Sequence, residues 1–181
     1  MKKSFTRLTL VSFALACIGA HAADAPPAPV RDGVHDFDFE FGSWRVHHRI
    51  KRDGKWLEFE GTASARALID GSGNVEENTF HRPGGDTHGI ALRAYDRKTA
   101  QWAIWWVDSR DPHAALDPPV KGRFADGVGT FYSDGLVNGK QTRTRFVWSH
   151  ITPTSARWEQ AFSEDEGKTW DTNWVMEFRR Q

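Results

Sequence analysis

Cysteine is nearly absent from this chain. The single one, Cys17, lies in a segment that reads as a leader, so a disulfide framework and a cysteine nucleophile are both excluded from the mature protein. An excess of positive charge is also missing. The 24 Lys+Arg balance 24 Asp+Glu, and loss of Lys2, Lys3 and Arg7 with the leader takes the remainder to about −3. Nucleic acids and anionic membrane surfaces need a concentrated basic patch, so neither is expected as a partner. No apolar run is long enough for a membrane span. Residues 8–18 form the longest, and it stops far short of 20 residues. G-x-S-x-G, H-E-x-x-H and H-x-H are all absent, which removes the familiar signals of a serine hydrolase or a zinc site.

The short apolar run has its own meaning. A basic start, residues 8–18 and the small-residue site Ala20-His21-Ala22 make residues 1–22 a signal peptide, with the mature chain beginning at Ala23. This predicts a periplasmic or secreted protein with no membrane insertion after cleavage. The alternative is a lipid anchor through Cys17, although Ala14-Leu15-Ala16 lacks the aliphatic residue which that signal places three positions earlier. Residues 23–34 are rich in Pro and Ala and read as a flexible leader. One domain, residues 35–181, remains.

That domain holds short β-compatible runs separated by turn residues. Strands are expected near 43–52, 56–69, 74–82, 87–96, 101–108, 120–125, 128–134, 141–151, 156–163 and 172–180. Residues 37–41 read as a short turn that closes one end. Asp53-Gly54 and Asn138-Gly139 suit two-residue hairpins whose central positions need positive φ. The first sets Trp44 opposite Ala63, Val46 opposite Gly61, His48 opposite Phe59 and Ile50 opposite Leu57, an almost wholly apolar face. Arg45, His47, Arg49, Glu58, Glu60 and Thr62 fill the other face. The second sets Phe131 against Phe146 and Tyr132 against Arg145. A third hairpin with Gly84-Gly85 at its tip would pair Glu76 with Arg93 and His81 with His88; which of its faces points inward stays open. Ten strands joined by hairpins predict an all-β, single antiparallel up-and-down barrel.

Nine tryptophans in such a chain fill a barrel interior or line a pocket. Polar residues within strands that otherwise look buried are the candidate ligand contacts: Asn78, Arg93, Trp106, Asp108, Arg145, Glu159, Gln160 and the inward-turned His48, with Arg66 and Glu76 as further candidates. The bland reading puts several of them on a solvated outer face. His48 is a buried, hydrogen-bonded histidine in one reading and a haem or metal ligand in the other. A site made by His81, His88 and Asp86 is a second metal reading, at an exposed hairpin; no cofactor and no metal is the expected state. Residues 163–170 fit S-x-D-x-G-x-T-W, which looks like the Asp-box turn of β-propellers. Asp165 would accept turn N–H groups, Gly167 relieve a positive φ and Trp170 pack beneath, a structural role.

Gly42-Ser43-Trp44 at the first strand resembles the opening of the calycin barrels, the superfamily of lipocalins, fatty-acid-binding proteins and nitrobindins. More specifically, the chain resembles the bacterial family called domain of unknown function 1579. The stretches that carry this likeness are residues 37–44, 73–78, 105–110, 116–122, 155–162 and 171–178. The resemblance implies a calycin-like barrel without an established activity. It also implies that Gly42 and Trp44 are structural, and that Arg179 or Arg180 lies against Trp44. The reading that follows is binding of a small apolar or amphipathic ligand inside the barrel. An isomerase or hydrolase using Asp108, Glu159 or His48 as acid or base is the alternative, and an envelope interaction protein with an exposed aromatic face is the third.

Overall fold

The computed structural model describes residues 32–181; the expected signal peptide, Cys17 and the expected leader as far as Arg31 lie outside them. Ten antiparallel strands run in a simple meander. They are β1 (Gly42–Arg52), β2 (Lys55–Leu68), β3 (Gly73–Arg82), β4 (Gly85–Asp96), β5 (Gln101–Asp108), β6 (Val120–Ala125), β7 (Val128–Val137), β8 (Lys140–Ser149), β9 (Ser155–Ser163) and β10 (Asp171–Arg180). Each pairs with its neighbours in sequence, and β10 returns to β1, so the sheet closes on itself and has no free edge along most of its circumference.

Turn chemistry sets the register where it is strong. Asp53 and Gly54 have φ of 49° and 74°, and Asn138 and Gly139 have 51° and 79°, the two consecutive positive values of a tight hairpin. Trp44 then faces Ala63, His48 faces Phe59, and Phe131 faces Phe146. The β3–β4 hairpin departs from expectation. Its strands meet at Arg82 and Gly85, so Pro83 and Gly84 form the tip. Glu76 faces Ala91 rather than Arg93, and His81 faces Asp86 rather than His88. A slip of two residues keeps every side chain on its face, because the pleat repeats every two. Phe80 points inward, while Ile90 and Leu92 lie on the outside, exposed beside Val107 and Trp105 on β5.

One end is plugged by aromatic rings. Phe37 is fully buried, edge-on to Trp102 and Phe124 at 5.1 and 5.0 Å and stacked on Phe131 at 5.7 Å. Burial of such a ring contributes about 2–3 kcal/mol. A 3-10 turn, Asp38–Glu40, carries the chain across this end, and the Trp44 indole N–H donates to the Glu40 carbonyl at 2.6 Å. Gly42, with φ of 103°, makes the bend from this turn into β1. Residues just before 35 also pack on this end: Val34 is buried, and the Gly33 carbonyl accepts the Trp102 N–H at 2.9 Å.

The wall is thin in one place. β5 and β6 share only three residue pairs, Trp102–Gly122, Ala103–Lys121 and Ile104–Val120. Beyond them, residues 105–108 of β5 and 133–137 of β7 flank an opening that residues 109–119 bridge.

Candidate functional site

Above the aromatic plug the barrel holds a cavity of about 460 Å³. Its walls are Trp106, Phe146, Trp158, Trp174 and Met176, and its mouth lies between Asp117–Pro118 and the tip of the β7–β8 hairpin. Asn78, Arg93, Trp106 and Gln160, expected as ligand contacts, all line this space. Trp106 reaches it because Gly89, across the sheet, has no side chain; a Cβ there would overlap the indole.

The floor is charged. Arg93, 2% exposed, extends from β4 between two buried carboxylates, Glu40 at 1% and Glu76 at 3%. Its Nη1 donates to Glu40 Oε2 at 2.5 Å and to Asn74 Oδ1 at 3.0 Å. Its Nη2 donates to Glu40 Oε1 at 3.0 Å and also to Glu76 Oε2. The guanidinium lies 4.8 Å over the Phe37 ring, which ties the cluster to the plug below. Burial pushes the Glu40 carboxyl well above the usual carboxylate range; Arg93 draws it down and Glu76 drives it up again. A proton on Glu40 is thus the cheapest way to hold two carboxyls on one guanidinium. Several buried polar atoms here have no partner among the described residues: Glu76 Oε1, Asn78 Oδ1, Asn74 Nδ2, Arg93 Nε and Trp148 Nε1. Leaving such a group unpaired costs about 1–3 kcal/mol, and residues that line a ligand space are where this recurs.

Four expected contacts are placed elsewhere. Arg145 alternates outward on β8 and stacks its guanidinium 4.2 Å over Trp170. Glu159 is on the outer face of β9, bonded to Arg157 at 2.9 Å, which also holds Glu177. Asp108 shares the inward parity of Trp106 but sits at the rim, where Arg110 donates to both its oxygens; that pairing lowers its pKa. His48 is fully buried against Phe59, Phe80 and Trp174; it sits behind Trp174 and does not itself line the cavity. Burial takes its pKa down to about 3, so the ring is neutral. The three residues expected to act as acid or base, Asp108, Glu159 and His48, therefore do not converge. Arg66 is exposed on the outside of β2.

Of the two arginines offered as partners of Trp44 one takes the place, and the expected pairing of two histidines is corrected. The cation over Trp44 is Arg180, 3.9 Å from the ring, bonded to the carbonyls of Phe39 and Phe41; Arg179 is exposed. His81 bonds to Asp86 and His88 to Thr79, so the two do not meet. Among the described residues no group of three or more His, Cys, Asp or Glu side chains is placed to hold a metal ion. Residues 163–170 form a turn built on side chains. Asp165 accepts from the Thr169 N–H at 2.8 Å and hydroxyl at 2.7 Å, which hold its pKa down to about 2, and Gly167 takes φ of 92°. Trp170 donates to the Gly167 carbonyl at 3.0 Å.

Glu40 and Asn74 were not legible as site residues. Glu40 sits in a turn, where strand periodicity says nothing about facing; its position between Phe39 and Phe41, in a segment meant to cap the barrel, was the available signal. No curated protein matches the chain in sequence. Among solved structures the barrel is similar to an S-type phycobiliprotein lyase, CPES, from Guillardia theta, with a TM-score of 0.57 and 10% identity, covering 84% of this chain and 94% of that one. This likeness is one of fold: a calycin-like barrel. Residues 37–180 match the model of a family described as protein of unknown function (DUF1579), and the chain belongs to that family.

Proposed function

We propose that this protein holds a small, largely apolar ligand inside its barrel, and that it does so in the periplasm or after secretion. The cavity of about 460 Å³ carries this reading, since its size and aromatic walls suit a compact organic molecule. The similarity to a lyase of phycobiliproteins supports it at the level of fold alone. The leader supports the location.

The test uses N-phenyl-1-naphthylamine, a neutral probe that brightens in apolar surroundings. Saturable 1:1 brightening is expected, together with quenching of tryptophan emission from Trp106, Trp158 and Trp174. Ala91, a small buried residue of the cavity wall, offers the control. Ala91→Phe fills the space and is expected to weaken the probe at least tenfold. A probe that fails to bind, or that binds a folded Ala91→Phe variant equally well, overturns the proposal.

A further inference from the structure

Arg93 and Glu76 line the cavity floor with Glu40 directly behind them on the same guanidinium, and as ions the three charges do not cancel. Glu40 and Glu76 bring two carboxylates to the single guanidinium of Arg93, and all three are buried. With both carboxyls ionised one negative charge is left over, and in the empty barrel only a proton on Glu40 balances it. Both Nη atoms of Arg93 are already engaged by Glu40, Asn74 and Glu76. Among the described residues Arg93 is also the sole basic side chain lining the cavity. A ligand carboxylate, the head group a lone buried arginine would suit, meets no free cation here. It would add a further negative charge beside Glu76 in a place shielded from water.

The oxygens point the other way. Glu76 and Asn78 line the cavity, each is 3% exposed, and each keeps one side-chain oxygen without a partner. The mouth adds Asp117 and Asp134. The walls include the rings of Trp158, Trp174 and Phe146, side chains whose faces attract a cation. The leftover donors, Trp148 Nε1, Asn74 Nδ2 and Arg93 Nε, add no charge beyond the guanidinium already counted.

We infer that the ligand is an amphipathic amine, whose ammonium group supplies the positive charge missing from the Glu40–Arg93–Glu76 floor while its apolar body fills the aromatic chamber. This rests on the binding reading above and narrows it to one chemical class. Without a ligand, burial favours a proton on Glu40, and an arriving ammonium takes over that role. The groups facing Glu40 are Arg93 from β4, with Glu76 and Asn74 from β3. Arg180, from β10, turns its guanidinium to backbone carbonyls instead. Uptake of an amine is therefore accompanied by release of part of a proton.

The experiment displaces N-phenyl-1-naphthylamine with three molecules of equal chain length: n-decylamine, n-decanol and n-decanoate, near neutral pH. The amine is expected to bind at least tenfold more tightly than the alcohol, and the carboxylate most weakly. Glu40→Gln leaves Arg93 and Glu76 as a balanced pair behind an unaltered wall; there the amine-to-alcohol preference should fall to near unity. Glu76→Gln serves as a second variant, and near-ultraviolet circular dichroism confirms the fold of each. An alcohol or carboxylate that binds as tightly as the amine overturns the inference, with wild-type protein alone. So does an amine preference that survives in the folded variants, which would assign it to the aspartates of the mouth. If the naphthylamine itself never binds, the binding reading falls first, and the two failures stay distinct.

Discussion

His48 makes the buried interior sensitive to acid, and the size of the effect follows from its surroundings. The ring stacks on Phe59 at 4.8 Å, meets Phe80 and Trp174 edge-on or tilted, and is fully buried. Burial holds its pKa at about 3, against 6.5 for a free histidine. In the unfolded chain the ring takes up a proton below about pH 6.5; in the folded chain it does not until about pH 3. The unfolded state therefore binds more protons in that window. The stabilisation is complete above the upper value and is lost as pH falls toward the lower one. At about 1.4 kcal/mol per pH unit, roughly 2.5 kcal/mol disappears between about pH 7 and pH 4.5. Glu40 works in the opposite direction. Its raised pKa gives stability that is full below the ordinary carboxylate value and fades as pH rises. The variant His48→Leu separates the two, because Glu40 contributes equally to both proteins. Near pH 7 the variant is expected to be about 1 kcal/mol less stable, having lost the Trp174 N–H partner on Nδ1. Near pH 4.5 it should be the more stable of the two. Urea unfolding followed by tryptophan emission at a series of pH values reads this crossing. A difference between the proteins that does not change with pH would refute the reasoning.

Two further outcomes concern the shell of the barrel. Arg180→Met removes the cation from Trp44 and strands the carbonyls of Phe39 and Phe41; a loss of about 2–3 kcal/mol is expected in urea unfolding, against less than about 0.5 for Arg179→Met on the surface. Asp165→Ala deprives the Thr169 N–H and hydroxyl of their acceptor, so the melting temperature should drop near neutral pH. Because the Asp165 pKa is depressed to about 2, its contribution is present above about pH 4 and lost below, and the two melting curves should converge as pH approaches 2.

The strands were readable because turn chemistry and face polarity agreed. Asp53-Gly54 and Asn138-Gly139 each admit one hairpin, and the apolar set Trp44, Val46, His48, Phe59 and Ala63 confirms it. Pro83-Gly84-Gly85-Asp86 offers two consecutive glycines that both tolerate positive φ, so the tip is not unique, and the register slipped by two. The failures on β8 and β9 have a different cause. Ala161 and Ser163 are buried on the outer face, beneath the turn at 163–170, so neither face of that hairpin is clearly the polar one. Arg145 and Glu159 lie in runs that look buried in sequence, yet both side chains face outward. Glu40 was missed because the rule of alternation applies to strands, and the plug is not one. The charged floor depends on a turn residue, a β3 residue and a β4 residue meeting, which no local pattern encodes.

Because each strand of the meander pairs with its sequence neighbours, nine of the ten seams can zip as local hairpins while the chain is still growing. The β1–β10 seam alone unites the two ends, where Trp44 meets Arg180. Loop-closure entropy thus falls mainly on a single event at the end of folding. Until that event there is no inside. A guest molecule cannot template the early steps, and can reward only the final hoop-closing one.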